Sequence, residues 1–268
     1  RIVSYPDKLL PILVKKGLRT SLMGRHIYYQ QTLDSTNSLA KSLAEEGAPE
    51  GSLIIAEEQV SGRGRCGRQW ISPKGVNILA SIILRPNILP HQVPQFAILG
   101  AVSVAESIGK LTGLKAELRW PNEILLSNKR VGGILTEFGA ELDRVDFIIL
   151  GIGINVNFDL SGFPELAGEA TSLLMETGAK ASRLKLLQIL LEQIEANYRL
   201  LTESKFHQLR ERWNDLCWGM GKWVQIASVE GKQGGILKGM DNSGCLILAK
   251  VNGERRIAMS GGISLKAG

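Results

Sequence analysis

Soft metal ligands are scarce in this chain, with three cysteines and three histidines among 268 residues. Cys66, Cys217 and Cys245 lie far apart, and no Cys-x-x-Cys pair or Cys/His spacing of a zinc site occurs. The odd count gives no disulfide framework, which fits a reducing, cytoplasmic setting. His26, His91 and His207 are scattered and read as structural or surface residues. Long apolar runs are also missing. The most apolar stretch, VDFIILGIGINVNF at 145–158, is too short to span a bilayer and is interrupted by Gly151 and Gly153. No signal-peptide pattern, internal repeat or low-complexity tract is visible. No membrane association is expected.

What is present is ordinary globular composition, 44% hydrophobic and 22% charged, in a length that suits one catalytic domain plus a smaller module. The formal net charge of +6 favours anionic partners such as nucleotides, phosphates or an acidic protein. The excess is too small to indicate DNA by itself.

Periodicity divides the chain in two. HIYYQQT at 26–32, SLIIAEE at 52–58 and VNILASIIL at 76–84 read as strands. DSTNSLAKSLAEEG reads as a helix with Asp34, Ser35 and Thr36 as capping candidates. Residues 97–113 read as a helix closed by glycine, and a long amphipathic segment runs from Ser182 to about Leu216. Beyond Gly219 the short runs WVQIASV, GGILKGM, GCLILAK and RRIAMS alternate with glycine turns, as in a small β-barrel. The expected layout is a linker over 1–19, an α+β domain over 20–216 and an all-β domain over 217–268.

The chemistry concentrates in a few motifs. In SGRGRCGRQWI at 61–71, Gly62, Gly64 and Gly67 allow close backbone approach, and Arg63, Arg65 and Arg68 offer planar forks for carboxylate or phosphate oxygens. A flexible basic hairpin without a ligand is the plain alternative. In RWPNEILL, Arg119 and Glu123 bracket a Trp-Pro-Asn turn, and a simple salt bridge beside a tight turn would account for them equally. KRVGGIL starts a strand with Arg130 ahead of Gly132 and Gly133. GIGINVN ends one with Asn155 and Asn157, and its Gly-x-Gly lacks the third glycine of a dinucleotide fingerprint.

Together, DSTN at 34–37, Q-x-x-GRGR-x-GR-x-W at 59–70, RWPNE at 119–123, KRVGGILTE at 129–137 and GIGINVN at 151–157 resemble the biotin protein ligases in order and spacing. The resemblance covers about residues 20 to 268. It implies a mixed-sheet catalytic domain like that of class II aminoacyl-tRNA synthetases, followed by an SH3-like barrel. It implies ATP and biotin as substrates with Mg²⁺, formation of biotinyl-5′-AMP, and transfer of biotin to a lysine of the biotin carboxyl carrier domain of acetyl-CoA carboxylase. On matching positions, Ser35, Thr36, Asn37 and Gln59 would line a biotin pocket. Gly62, Arg63, Gly64 and Arg65 would hold the carboxylate and phosphate, and Trp70 would form the adenine side. Asn122, Gly132, Gly153 and Asn155 would lie close to the nucleotide.

Arg63, Arg65 and Arg130 are the catalytic candidates, and Glu123 is the one candidate for Mg²⁺. The resemblance also implies a homodimer and, through RIVSYPDKLLP at the start, a preceding winged helix-turn-helix domain that would make the parent protein a repressor and supply its only DNA contact. Three positions depart from the family pattern: Arg119 and Arg130 replace lysines, and Glu123 replaces an aspartate. Arginine is not a neutral substitute for a compact ammonium, so a biotin or biotinyl-AMP binding regulator with weakened catalysis is the alternative. Lipoate ligase is a third reading.

Overall fold

The computed structural model describes residues 7–141, 144–228, 231–250, 255–258 and 262–265. RIVSY at 1–5, part of the stretch that pointed to a preceding domain, lies outside them. A short helix α1 (Pro11–Lys15) opens the described chain, with Pro11 in the first turn, where its missing N–H costs nothing. Strand β1 (Ile27–Leu33), helix α2 (Thr36–Glu45) and strand β2 (Leu53–Gln59) follow, then β3 (Ile78–Leu84). Helix α3 (Pro94–Thr112) begins three residues before the expected start. Pro94 serves as its first helical residue, and Gly113 in the left-handed region ends it.

Three strands, β4 (Glu117–Arg119), β5 (Glu123–Leu126) and β6 (Lys129–Glu141), make a meander that β7 (Arg144–Ile154) completes. The β5–β6 turn places both Ser127 (φ 50°) and Asn128 (φ 63°) in the left-handed region, as a two-residue type I′ hairpin requires. The seven strands form one mixed sheet in the order β1-β2-β3-β7-β6-β5-β4, parallel only between β1 and β2.

Helix α4 (Leu173–Thr177) is short. The expected single segment from 182 to 216 is instead two helices, α5 (Arg183–Thr202) and α6 (Phe206–Leu216). The break falls at the polar Glu203-Ser204-Lys205, where Ser204 takes φ 58° and Lys205 N–H caps back onto Leu200. Beyond α6 come β8 (Trp223–Ser228), β9 (Gly231–Met240), β10 (Leu246–Ala249), β11 (Arg255–Ala258) and β12 (Gly262–Leu265). These form a five-stranded antiparallel sheet in the order β11-β10-β9-β8-β12, in which β12 adds to the four strands expected. The chain is therefore α+β, a mixed-sheet domain with a small antiparallel sheet.

The large sheet is covered on both faces. One face packs on α3, α5 and α6 through residues such as Ile55, Ile82, Leu150 and Ile134. The other carries α2, whose Ala40 and Ala44 pack on Ile54, Ile83 and Ile149. The segment from Asp7, expected as a linker, packs into the core, with Leu9 and Val14 fully buried. Its anchor is Arg183, 1% exposed, whose guanidinium donates to Glu57 Oε2 (2.8 Å), Asp7 Oδ2 (3.1 Å), the carbonyl of Asn77 (3.0 Å) and the carbonyl of Asp7.

A buried guanidinium and a buried carboxylate need each other, because either one alone would be an uncompensated charge out of water. Arg183→Leu strands Glu57, so we expect a loss of about 3–5 kcal/mol in denaturant unfolding. Arg183→Leu combined with Glu57→Gln should recover part of it. Equal stability of the single variant and the unmodified protein would refute this account.

Candidate functional site

The pleat decides which residues of the central strands meet α2. On β7 the residues Ile148, Leu150, Ile152 and Ile154 face the α3/α5 core, which turns Gly151 and Gly153 to the opposite face. On β6 the partners across the ladder are Leu135 opposite Gly151 and Gly133 opposite Gly153. On β3 the corresponding face carries Ser81. A strip of small residues thus crosses the sheet in front of the N-terminus of α2, and a cavity of about 710 Å³ opens over it.

One wall is the start of α2. Ser35 is its N-cap residue but makes no capping bond. Gln59, at the end of β2, instead accepts from Thr36 N–H (2.7 Å) and from the Thr36 hydroxyl (3.0 Å). Ser81 donates to Asn37 Oδ1 at 2.7 Å and lies 2.8 Å from the Thr36 hydroxyl. Asn37 Nδ2 donates to the Leu135 carbonyl (3.2 Å) and to Glu137 Oε2 (2.7 Å). A Cβ at Gly151 would lie 2.1 Å from Asn37 Oδ1, so the asparagine amide stands where only glycine leaves room.

The second wall is the glycine–arginine loop. It is folded back on itself, with Trp70 N–H donating to Gly62 O (2.8 Å), Gly64 N–H donating to Arg68 O (2.7 Å), and a turn of 3₁₀ helix over Arg65–Gly67. Arg63 donates to Ser38 Oγ (3.2 Å) and Glu137 Oε2 (3.3 Å). Trp70 lays its indole across Gly153 and Gly133, where added Cβ atoms would come within 2.7 and 3.3 Å of the ring. Its Nε1–H is buried without a hydrogen bond.

The third wall is cationic. Glu123 gathers two guanidinium groups: Arg119 Nε and Nη2 reach its Oε2 at 2.7 and 2.6 Å, and Arg130 Nη1 reaches Oε1 at 3.1 Å. Arg130 also lies 5.9 Å from the centre of the Trp70 ring, and Arg68 Nη1 stands 4.0 Å from Glu123 Oε1. The salt bridge foreseen beside the Trp-Pro-Asn turn is thus present, but it faces the cavity. Both Glu123 oxygens are turned to arginines, and among the described residues no group of three or more His, Cys, Asp or Glu could hold a metal ion.

Of the residues singled out from the sequence, Ser35, Thr36, Asn37 and Gln59 line the cavity together. Arg63, Gly64, Arg65 and Trp70 line its loop side, and Asn122, Arg130 and Gly153 the side of the meander. Three do not line it. Gly62 is pressed against the Trp70 carbonyl behind the loop. Gly132 points to the other face, and its neighbour Gly133 takes the cavity position. Asn155 is buried beneath, its amide donating to the Thr171 carbonyl at 3.0 Å. Asn122, although at the cavity, uses its Nδ2 to hold the Ile134 carbonyl at 2.6 Å.

Sequence reasoning missed Gly151 as a lining residue, Ser81 and Glu137, which hold the Asn37 amide in its wall, and Ala227 and Ile263, by which the small sheet reaches the cavity. A single serine inside ILASIIL and a carboxylate closing GGILTE were the available signals. The lining holds five arginines (63, 65, 68, 119 and 130) against two carboxylates, Glu123 and Glu169, and no described lining residue is a histidine, lysine or cysteine. Such a cavity suits the joining of two anionic reactants that bring their own nucleophile and leaving group, with the protein supplying position and positive charge.

A model of the biotin/lipoate A/B protein ligase family matches residues 28–155. The chain is 39% identical over 258 residues to the bifunctional ligase/repressor BirA of Bacillus spizizenii, covering 96% of this chain and 79% of that protein. It is 31% identical to the biotin–[acetyl-CoA-carboxylase] ligase of Paracoccus denitrificans, over 84% of this chain and 94% of that one. The structure of a biotin protein ligase from Aquifex aeolicus in complex with biotin and ATP superposes with a TM-score of 0.78 at 28% identity, covering 91% of this chain and 100% of that one.

The tight fit of Asn37 against the sheet makes Gly151→Ala informative. The new methyl cannot coexist with the amide, and we expect a loss of about 1–3 kcal/mol in the denaturation midpoint analysis. An unchanged midpoint would mean that Asn37 swings away at no cost and does not shape the wall.

Proposed function

This chain belongs to the biotin protein ligase family, and from that premise we propose that it activates biotin with ATP and transfers it to a lysine of a carrier protein. In the first step a biotin carboxylate oxygen attacks the α-phosphorus of ATP. The bond to the β-phosphate oxygen breaks, giving biotinyl-5′-AMP and pyrophosphate. In the second step a neutral lysine amine attacks the acyl carbon, AMP leaves with the electron pair of the C–O bond, and the amine loses its proton. The observation that carries this reading is the arginine-lined cavity without a histidine, lysine or cysteine in its described lining. Carboxylate and phosphate repel each other, and fixed guanidinium groups lower that repulsion and stabilise charge developing at phosphorus.

Ser35, Thr36, Asn37 and Gln59 form the polar, narrow end suited to the biotin head. Arg63, Arg65 and Arg130 serve the carboxylate and phosphate as the catalytic residues. Trp70 supplies an aromatic face beside them, with a free N–H. Mg²⁺ would enter with the nucleotide, where it neutralises phosphate charge. Glu123 is better read as the partner of arginines than as a metal ligand. The carrier is the biotin carboxyl carrier domain of acetyl-CoA carboxylase, as the name of the Paracoccus relative suggests.

A biotin-responsive repressor role for the parent protein, with DNA bound by a domain upstream, rests on the name of the Bacillus relative. No described helix is long and apolar enough to cross a membrane. The free thiols of Cys217 and Cys245 go with a cytoplasmic setting. Homodimerisation has a candidate edge in residues 134–141 of β6, which run past the end of β5 and carry the half-exposed Phe138.

The second reading, a binding regulator with weak catalysis, is favoured by one observation. Arg130 is held by Glu123 and faces Trp70, so part of its charge is already neutralised. Biotin-dependent ATP–pyrophosphate exchange separates the two. We expect exchange with biotin and none with lipoate, and a fall of about 100-fold or more for Arg63→Ala. No exchange in the unmodified protein, with exchange appearing in Arg130→Lys, would support the regulator instead. Trypsin should cut within residues 61–70 unless biotin and ATP are both present. Equal cleavage with and without them would argue against an ordering loop.

A further inference from the structure

We infer that Trp218 is a positioning residue for the phosphate-binding end of the cavity, acting through Arg119. It lies outside every motif quoted above, in the short connection between α6 and β8, and it does not line the cavity. Its indole nevertheless sits under the Arg119 guanidinium, whose central carbon is 5.5 Å from the ring centre. Two bonds fix the residue, one from its backbone and one from its indole. The Trp218 backbone N–H donates to the Leu118 carbonyl at 3.0 Å, on the strand that carries Arg119. The indole Nε1–H donates to Asn128 Oδ1 at 2.9 Å, in the tight turn immediately before Lys129 and Arg130. One residue thus touches Arg119 with its ring, holds β4 with its backbone and holds the turn before β6 with its indole N–H, next to both guanidinium groups that meet at Glu123.

An arginine on a flexible stem loses rotamer freedom when it engages an anion, and prior immobilisation removes that cost from binding. The edges of the Arg119 guanidinium are partly occupied by Glu123 and one face by Trp218, leaving the rest turned to the cavity it lines. Glu123 and Trp218 have different consequences. The carboxylate subtracts charge, whereas the aromatic face orients the cation and leaves its charge whole. Because Trp218 also opens the path into the small sheet, the same contact ties the seating of that sheet to the geometry of the arginines. The ligand class is a nucleoside triphosphate, and in this the inference rests on the ligase reading above.

The test compares Trp218→Leu, Trp218→Phe, Arg119→Ala and the double variant Trp218→Leu/Arg119→Ala, using ATP titration calorimetry together with pyrophosphate exchange. We expect Trp218→Leu to weaken ATP binding, and to raise KM for ATP, about three- to ten-fold while leaving KM for biotin unchanged. Trp218→Phe, which keeps an aromatic face, should recover most of the affinity. In the Arg119→Ala background, Trp218→Leu should have no further effect on ATP, as expected if it acts through that arginine. Thermal unfolding of each variant identifies any that fail to fold, and if the leucine one does, Asn128→Gly, which keeps the left-handed backbone but removes the acceptor that holds the indole, carries the comparison: ATP affinity should fall there in the same direction, and unchanged affinity would overturn the assignment. Unchanged ATP affinity in a folded Trp218→Leu protein, or parallel losses for ATP and biotin, would overturn the assignment. Failure of the unmodified protein to exchange, with ATP affinity still following Trp218, would sink the ligase reading and leave this inference standing.

Discussion

A guanidinium shut away from water must be paired on every side, and Arg183 meets that demand by drawing four parts of the chain together. It binds Glu57 on β2, Asn77 at the entrance to β3, and both the carboxylate and carbonyl of Asp7 at the start of the described chain. Asn157, just past β7, reaches the same Asp7 carboxylate at 3.3 Å. The strands so gathered are those whose ends border the cavity. Gln59 lies two residues beyond Glu57 and caps α2. Asn155, two residues before Asn157, accounts for the run from β7 to the Ala170–Ser172 segment. A charge that never touches the cavity thereby fixes its frame.

Within that frame the sheet pleat separates two tasks. Isoleucines and leucines on one face of β3, β6 and β7 supply the buried apolar area under the helices, the main source of stability. The alternate positions give up side-chain volume, as Gly133, Gly151 and Gly153 do, and the space goes to Asn37 and Trp70. Had both faces been packed with branched residues, the sheet would have been better sealed and the cavity would not exist. GIGI is therefore a strand serving two environments, not a fragment of a nucleotide fingerprint.

This explains which parts of the site could be read beforehand. Residues whose chemistry is carried by type and local spacing, such as the arginines and glycines of the 61–70 loop or Thr36 and Asn37 at a helix start, were legible because their surroundings are local. Gly132 against Gly133 was not, because the register of β6 on β7 and a bulge in the β5–β6 pairing decide which of two adjacent glycines faces in. Asn122 and Asn155 look like ligand groups in sequence, yet their amides satisfy backbone carbonyls of neighbouring segments. Ser81, Glu137 and Trp218 come from distant stretches and gain meaning only from their partners. The break between α5 and α6 was hidden for another reason. The apolar spacing resumes at Phe206, Leu209 and Trp213 after three polar residues, and the break shows only in the backbone of Glu203, Ser204 and Lys205.

Arg119, Glu123 and Arg130 make more physical sense as a set than singly. A guanidinium is longer, flatter and less hydrated than an ammonium, and it needs a planar or aromatic environment to stay in place. Arg119 has the Glu123 carboxylate on its edge and Trp218 on its face, and Arg130 has Glu123 on its edge and Trp70 on its face. A glutamate reaches one methylene further than an aspartate, which lets a single carboxylate span both forks. Each residue holds the others in place, so the cluster carries its net positive charge on oriented groups. Replacing any one of the three would then disturb the two neighbours that it touches.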